Sequence, residues 1–150
     1  MSRQMELGNL TQLGEWAELR FMTRATEEGL YVLKPWGDKR YDFAVDYEGK
    51  FRRVQVKSTR FQLKKERKSY ICNTKPGHPA KLYTLAQIDF VAAYIIPRDI
   101  WYILPARLVV NLGKLALTPD HEGHKYEPYM EAWNLLRGER SGAGAAVSRR

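Results

Sequence analysis

What the chain lacks narrows it first. It has one cysteine, Cys72. A lone thiol closes no intramolecular disulfide and gives no cysteine cluster for zinc, which fits a reducing compartment. The opening MSRQMELGNLTQLGEW has no long apolar run of the signal-peptide kind. The longest apolar stretch, residues 90–97, is far too short to span a bilayer. A cytoplasmic protein with no membrane partner is the expectation. Neither a phosphate-loop nor a dinucleotide glycine pattern occurs. Ser58 and Thr59 have no evident histidine base, which leaves a hydrolase triad unsupported. Histidines number three; His121 and His124 form an HxxH in a Gly/Pro-flanked loop that reads as solvated surface rather than a metal pair, and His78 lies in a basic loop. Acidic residues are also short, 17 against 25 Lys plus Arg, for a net charge of +8. That balance favours a polyanionic partner such as nucleic acid, with plain solubility as the alternative.

What is present supports one folded domain. Hydrophobic residues make up 44% of the 150 residues, enough for a core. The domain is expected over residues 1–137, followed by a disordered basic Gly/Ala/Ser-rich tail over 138–150. Residues 11–28 read as a helix with Thr11 as its cap and Gly29 as its stop. Its apolar residues cover most of its circumference, so packing on more than one side is expected. Strands are expected at 30–34, 41–47, 51–59 and 69–73, with a turn at Trp36-Gly37-Asp38. A short helix at 81–88, two buried strands at 90–96 and 100–104, and a last helix at 127–137 complete an α/β domain around a mixed sheet.

Chemistry concentrates in one hairpin. With the turn at Glu48-Gly49 and Tyr47 facing Lys50, counting back along both strands sets Asp42 opposite Gln55. Lys57 shares that face by the period-two alternation, while Phe43, Val45, Val54 and Val56 point to the core. A carboxylate, an amide oxygen and an ammonium thus converge. Phosphodiester hydrolysis needs a positioned water, a Lewis acid and neutralisation of developing charge. Hard oxygen ligands suit Mg²⁺: Asp42 as principal ligand, with the Gln55 side chain and the Val56 carbonyl beside it, and Lys57 on the water or the phosphate. On the first helix Gly14, Glu18, Met22 and Ala25 form a strip. Glu18 on that small, apolar line calls for a partner; Glu15 is its rival.

The stretch from Gly14 to Thr59, with Gly14-Glu15 and Glu18, Lys34-Pro35, Tyr41-Asp42 and Arg53-Val54-Gln55-Val56-Lys57, resembles the core of PD-(D/E)XK nucleases. It looks closest to the group I intron-associated homing endonucleases of bacteria, a QxK variant, and the run IDFVAAYIIPRDIWYILP resembles that group's distal strands. The resemblance covers about residues 12–137. It implies a restriction-endonuclease-like mixed sheet flanked by helices in αβββαβ order. It also implies Asp42 as the motif aspartate, Lys57 as the motif lysine, and Glu18 or Glu15 as the helical acid. The position two before the lysine is usually Asp or Glu in the superfamily. Gln55 keeps an oxygen but removes a charge, which also admits a catalytically degenerate DNA-binding module.

Basic residues crowd the sequence around and past Lys57: Arg53, Arg60, Lys64, Lys65, Arg67, Lys68, Lys75 and Lys81. They are expected to grip a DNA backbone in a salt-sensitive way, a solvated charged hairpin being the bland alternative. The function expected is Mg²⁺-dependent hydrolysis of double-stranded DNA, with Mn²⁺ as a substitute, by a homodimer or homotetramer that brings a site to each strand. A junction- or RNA-directed nuclease on the same fold is the further alternative, and homing, restriction and repair stay open.

Overall fold

The computed structural model describes residues 9–60, 62–63, 68–75 and 82–139. The chain enters through helix α1, Leu10–Glu27. Its cap is Asn9 rather than Thr11: the Asn9 side chain accepts from the Gln12 amide at 2.8 Å. Asparagine outranks threonine at this position, and its extended backbone starts the helix two residues early. Gly29 ends it at φ +82°, as expected of a left-handed stop. The expectation of burial on several sides does not hold. Ala17, Phe21 and Ala25 are buried, whereas Leu19 and Met22 are exposed. Only one sheet lies against the helix, and it covers one stripe.

Eight strands follow among the described residues: β1 Tyr31–Leu33, β2 Phe43–Tyr47, β3 Lys50–Thr59, β4 Gln62–Leu63, β5 Ser69–Asn73, β6 Phe90–Ile95, β7 Ile100–Pro105 and β8 Lys114–Leu117. They form a five-stranded sheet in the order β1-β2-β3-β6-β7 and a three-stranded sheet in the order β4-β5-β8. The β2–β3 hairpin has the expected register, Tyr47 opposite Lys50 and Phe43 opposite Val54. Glu48 and Gly49 both take positive φ, +52° and +78°, the mirror-image turn that suits the strand twist. β6 then runs parallel to β3, from Val54↔Phe90 to Thr59↔Ile95, which makes the sheet mixed.

Two cores flank the larger sheet. Between it and α1 lie Phe21, Phe43, Val45, Val54, Val56, Trp101 and Trp133. Phe21 touches the rings of Phe43, Trp101 and Trp133 at centroid distances of 5.6, 5.7 and 5.7 Å. On the other face Val91, Tyr102 and Leu104 meet Tyr70, Cys72, Leu115 and Leu117 of the small sheet. β8 was not anticipated, although its residues alternate exposed and buried along Lys-Leu-Ala-Leu; four residues carry too little periodicity to stand out. Among the described residues no helix is long and apolar enough to cross a membrane.

Two expected helices are replaced. Residues 82–88 form a turn in which Gln87 and Ile88 donate to the Thr84 carbonyl at 3.0 and 3.2 Å. The Gln87 side chain accepts from the Thr84 amide at 3.0 Å, so local side-chain bonding wins over a helix. The expected last helix is instead two 3₁₀ turns, Glu127–Tyr129 and Trp133–Leu135, broken where Glu131 takes φ +51°. The Glu131 carboxylate accepts from the Trp101 amide at 2.7 Å, Arg24 Nη2 at 2.6 Å and Trp133 Nε1 at 3.0 Å. Three donors on one carboxylate hold that residue in an unfavourable backbone region. Of the tail expected over 138–150, Gly138 and Glu139 are held to the fold instead, their amides donating to the Leu135 and Asn134 carbonyls at 3.1 and 3.0 Å, and residues 140–150 lie outside the described residues. Glu131→Ala should lower the unfolding free energy by about 2–3 kcal/mol, because it strands partly buried donors. Urea titration checks this; a midpoint equal to the parent's would remove Glu131 from its bracing role.

Candidate active site

β3 has different partners along its length. Its first half pairs with β2 and its second half with β6, and Val54 is the residue common to both. Past Val54 the edge that faced β2 has no strand beside it. A buried amide on such an edge needs an acceptor, and Asp42 provides it. The Asp42 amide donates to the Val54 carbonyl at 3.0 Å and its Oδ2 accepts from the Val56 amide at 2.8 Å. The paired register stops at Phe43↔Val54, so Asp42 sits one step beyond the ladder, bonded to Val56, rather than in a direct pair with Gln55. The Val56 carbonyl leaves the strand on the same edge as its amide, beside that carboxylate.

The opposite edge has a matching device. Before β6 begins, Asp89 Oδ2 accepts from the Arg53 amide at 2.8 Å, and the Asp89 amide donates to the Arg53 carbonyl at 2.9 Å. The Arg53 guanidinium closes on the same carboxylate at 3.0 Å through Nε and at 3.0 Å through Nη2, and also donates to the Ala86 and Leu85 carbonyls. Arg53 is thus spent inside the protein. The expected DNA contact there gives way to a clasp that fixes β3.

Electrostatics mark the fork. Burial pushes the Asp42 carboxyl up to about 6, against the Val56 amide, which favours its charged form; the nearby Glu18 carboxylate pushes it the same way as burial, and Lys57 and Lys34 oppose. Glu18 itself lies 3.4 Å from Lys34 Nζ. Glu15 is exposed on α1 and takes no part in Asp42's field. Lys57 is held below the ordinary lysine range by burial, against the pull of Asp42 and Cys72. Its Nζ donates to the Lys75 carbonyl at 2.8 Å and stands 5.3 Å from the centre of the Tyr83 ring. Gln55 is 9% exposed, and its amide has no hydrogen-bond partner among the described residues.

The fork thus ties Asp42 to Val56, sets it in the field of Glu18 and Lys57, and has Gln55 beside Val56 on the same strand. Their donors fit a hard divalent cation: two carboxylates, a nearly buried amide without a hydrogen-bond partner among the described residues, and a main-chain carbonyl. No cluster of three or more His, Cys, Asp or Glu side chains competes among the described residues. His124 spends both ring nitrogens, on Tyr102 Oη at 3.0 Å and on the His121 carbonyl at 2.7 Å. Of the expected basic contacts, Arg60, Lys68 and Lys75 are exposed, while Lys64, Lys65, Arg67, Lys81 and His78 lie outside the described residues. Sequence reasoning missed Asp89 and Tyr83. Tyr83 fell within a stretch read as helix, and a single aromatic in a turn leaves no periodic signal.

Residues 9–136 match a family described as PD-(D/E)XK endonuclease. Among solved structures, the chain is similar to a bacterial homing endonuclease, I-Ssp6803I, with 27% sequence identity and a TM-score of 0.71 over 88% of this chain and 94% of that one. No curated protein sequence matches it.

The Asp42 environment makes a pH prediction. A carboxyl raised to about 6 when folded, against an ordinary value of 3.8, binds its proton more tightly in the folded state. Its stabilising effect is complete below pH ~4 and is lost as pH rises through ~6. Without divalent metal, Asp42→Asn should therefore be more stable than the parent at pH 8 by about 2–3 kcal/mol, and no more stable at pH 4. Denaturant midpoints in chelator at both pH values decide it; parallel pH profiles would show that Asp42 carries no such strain.

Proposed function

The chain belongs to the PD-(D/E)XK endonuclease family, and from that premise we propose that it hydrolyses phosphodiester bonds of double-stranded DNA at the Asp42 fork, in a homing-type role. Mg²⁺ is the proposed ion, and Mn²⁺ its substitute. The observation that carries the proposal is the pose of Asp42. Its Oδ2 is fixed by the Val56 amide at 2.8 Å, and its Oδ1 has no hydrogen-bond partner among the described residues.

Asp42, Glu18, the Gln55 side-chain oxygen and the Val56 carbonyl are the residues that would hold the ion. When bound, it supplies a Lewis acid for the phosphate and a more acidic water. The protein's own share is positional. Asp42 stays oriented because one oxygen is tied to the strand. Glu18 supplies the second negative charge, since Gln55 supplies none. Lys57 moves from the Lys75 carbonyl toward the phosphate, orients the attacking water and neutralises charge that develops on the phosphoryl oxygens. Burial beside Tyr83 keeps its ammonium poorly solvated, which strengthens its pull on an anion. Exposed Arg60, Lys68 and Lys75 then hold backbone phosphates on either side. One fork serves one strand, so a double-strand cut calls for a homodimer or a dimer of dimers.

Gln55 favours a second reading, a DNA-binding module without cleavage, because the loss of a charged ligand weakens metal binding. Supercoiled plasmid incubated with Mg²⁺ or Mn²⁺ separates the two, and a panel of duplex, junction and structured RNA tests the choice of substrate. Lys57→Ala should cut at a rate lower by about 10²–10³-fold while still retarding duplex DNA. Glu18→Gln should lose cleavage comparably, and Glu15→Gln should behave as the parent. Chelator should abolish cutting and added Mg²⁺ restore it. Retardation without any metal-dependent nicking would leave only the binding module.

A further inference from the structure

The loop between β1 and β2 carries a residue that neither the fold nor the fork explains. Trp36 is 97% exposed. The chain buries Trp101 and Trp133 in its core and packs Trp16 partly against it, so among the described tryptophans Trp36 alone stands in water. Single exposed apolar residues are ordinary; the surroundings of this one are not. Its neighbours are Lys34, Pro35, Gly37, Asp38, Lys39 and Arg40. Both ends of the loop are fastened to the candidate active site. Lys34 Nζ lies 3.4 Å from Glu18 and 5.1 Å from the Phe43 ring. The Arg40 guanidinium stands 6.0 Å over the Tyr83 ring, whose other cation is Lys57 at 5.3 Å. Two residues after Arg40 comes Asp42. Gly37, at φ +85°, turns the backbone between the two anchors.

We propose that Trp36 is a DNA-base contact: its indole packs against a base beside the cleaved phosphate, while Lys39 holds a neighbouring phosphate. The inference rests on the reading of the Asp42 fork as a DNA-cleaving site. A flat aromatic ring flanked by cations matches the alternation of bases and phosphates along a strand. A ring that reaches base edges next to the scissile bond needs a duplex opened or bent there, and apolar wedges do this at base steps. A protein–protein contact fits less well. Interface cores are depleted in lysine and other charged residues, and this ring is bracketed by Lys34, Lys39 and Arg40, whereas the exposed apolar residues Tyr31 and Leu33 lie back on β1.

Fluorescence gives a direct test on the full-length chain. Trp101 and Trp133 are buried and Trp16 is half-buried, so Trp36 dominates the emission that acrylamide quenches. Mixed-sequence duplex DNA, added in chelator so that nothing is cut, should protect that component in the parent, and the component should be missing from Trp36→Phe. Trp36→Ala should bind duplex about 5- to 150-fold more weakly, as expected for one lost base–aromatic stack. Trp36→Phe should recover most of that affinity. Both variants should keep the parent's circular dichroism and melting temperature, because the side chain touches nothing buried. Trp36→Ala that binds and cuts like the parent overturns the inference and leaves the nuclease reading intact. Protection that grows with protein concentration in the absence of DNA overturns it in favour of self-association. A parent that binds no duplex at all brings down both.

Discussion

The division of β3 between two partner strands is the constraint on which the rest of the molecule depends. β2 pairs with it up to Val54, and β6 pairs with it from Val54 onward. Neither partner covers the whole strand, so each edge is left with a stretch of backbone that wants a bond. Those stretches are met by carboxylates: Asp42 at the Val56 amide on one side and Asp89 at the Arg53 amide on the other. Side chains stand in for strands at the two places where the sheet stops. The first substitution creates a fork with a charged group in it. The second clamps the strand that carries Gln55 and Lys57, so that the fork keeps its shape.

The fork is a costly arrangement to leave bare. Asp42 is pushed toward its neutral form by burial and by Glu18, and Lys57 is pushed toward neutrality by its own burial. The protein tolerates this because the core between α1 and the large sheet is closely packed and aromatic, with Phe21, Trp101 and Trp133 in mutual contact. Strain of this kind is what a cation or a phosphate relieves. Gln55 moderates it. A third carboxylate there would add repulsion to a site that already holds two, whereas an amide keeps the oxygen without the charge.

Much of the fork could be read from residues alone, because the features that place it are local. A two-residue turn at Glu48-Gly49 sets the hairpin register, and period-two alternation then assigns faces to Val54, Gln55, Val56 and Lys57. Contacts between distant segments were not legible. Asp89 clasps Arg53 from 36 residues away, and nothing near Arg53 marks it as bonded within the protein rather than free for DNA. The last segment carries a helical pattern, yet Glu131 is drawn out of it by Trp101 and Arg24. Glu15 and Glu18 lie near the same strip of α1, and spacing along the helix does not separate them; in the fold Glu15 is exposed, whereas Glu18 pairs with Lys34 and acts on Asp42.

The sequence by itself determined the mixed α/β class, the hairpin with its register, and the pairing of a motif aspartate with a motif lysine. These follow from turn chemistry and side-chain alternation, which act over a few residues. The tertiary structure alone decided that Asp42 bonds to the Val56 amide beyond the end of the ladder, that Arg53 is tied to Asp89, and that Lys57 stands over Tyr83. Each depends on which edge of β3 is left uncovered, and that is fixed by where β2 and β6 each begin against it, at Phe43 and Phe90, both opposite Val54.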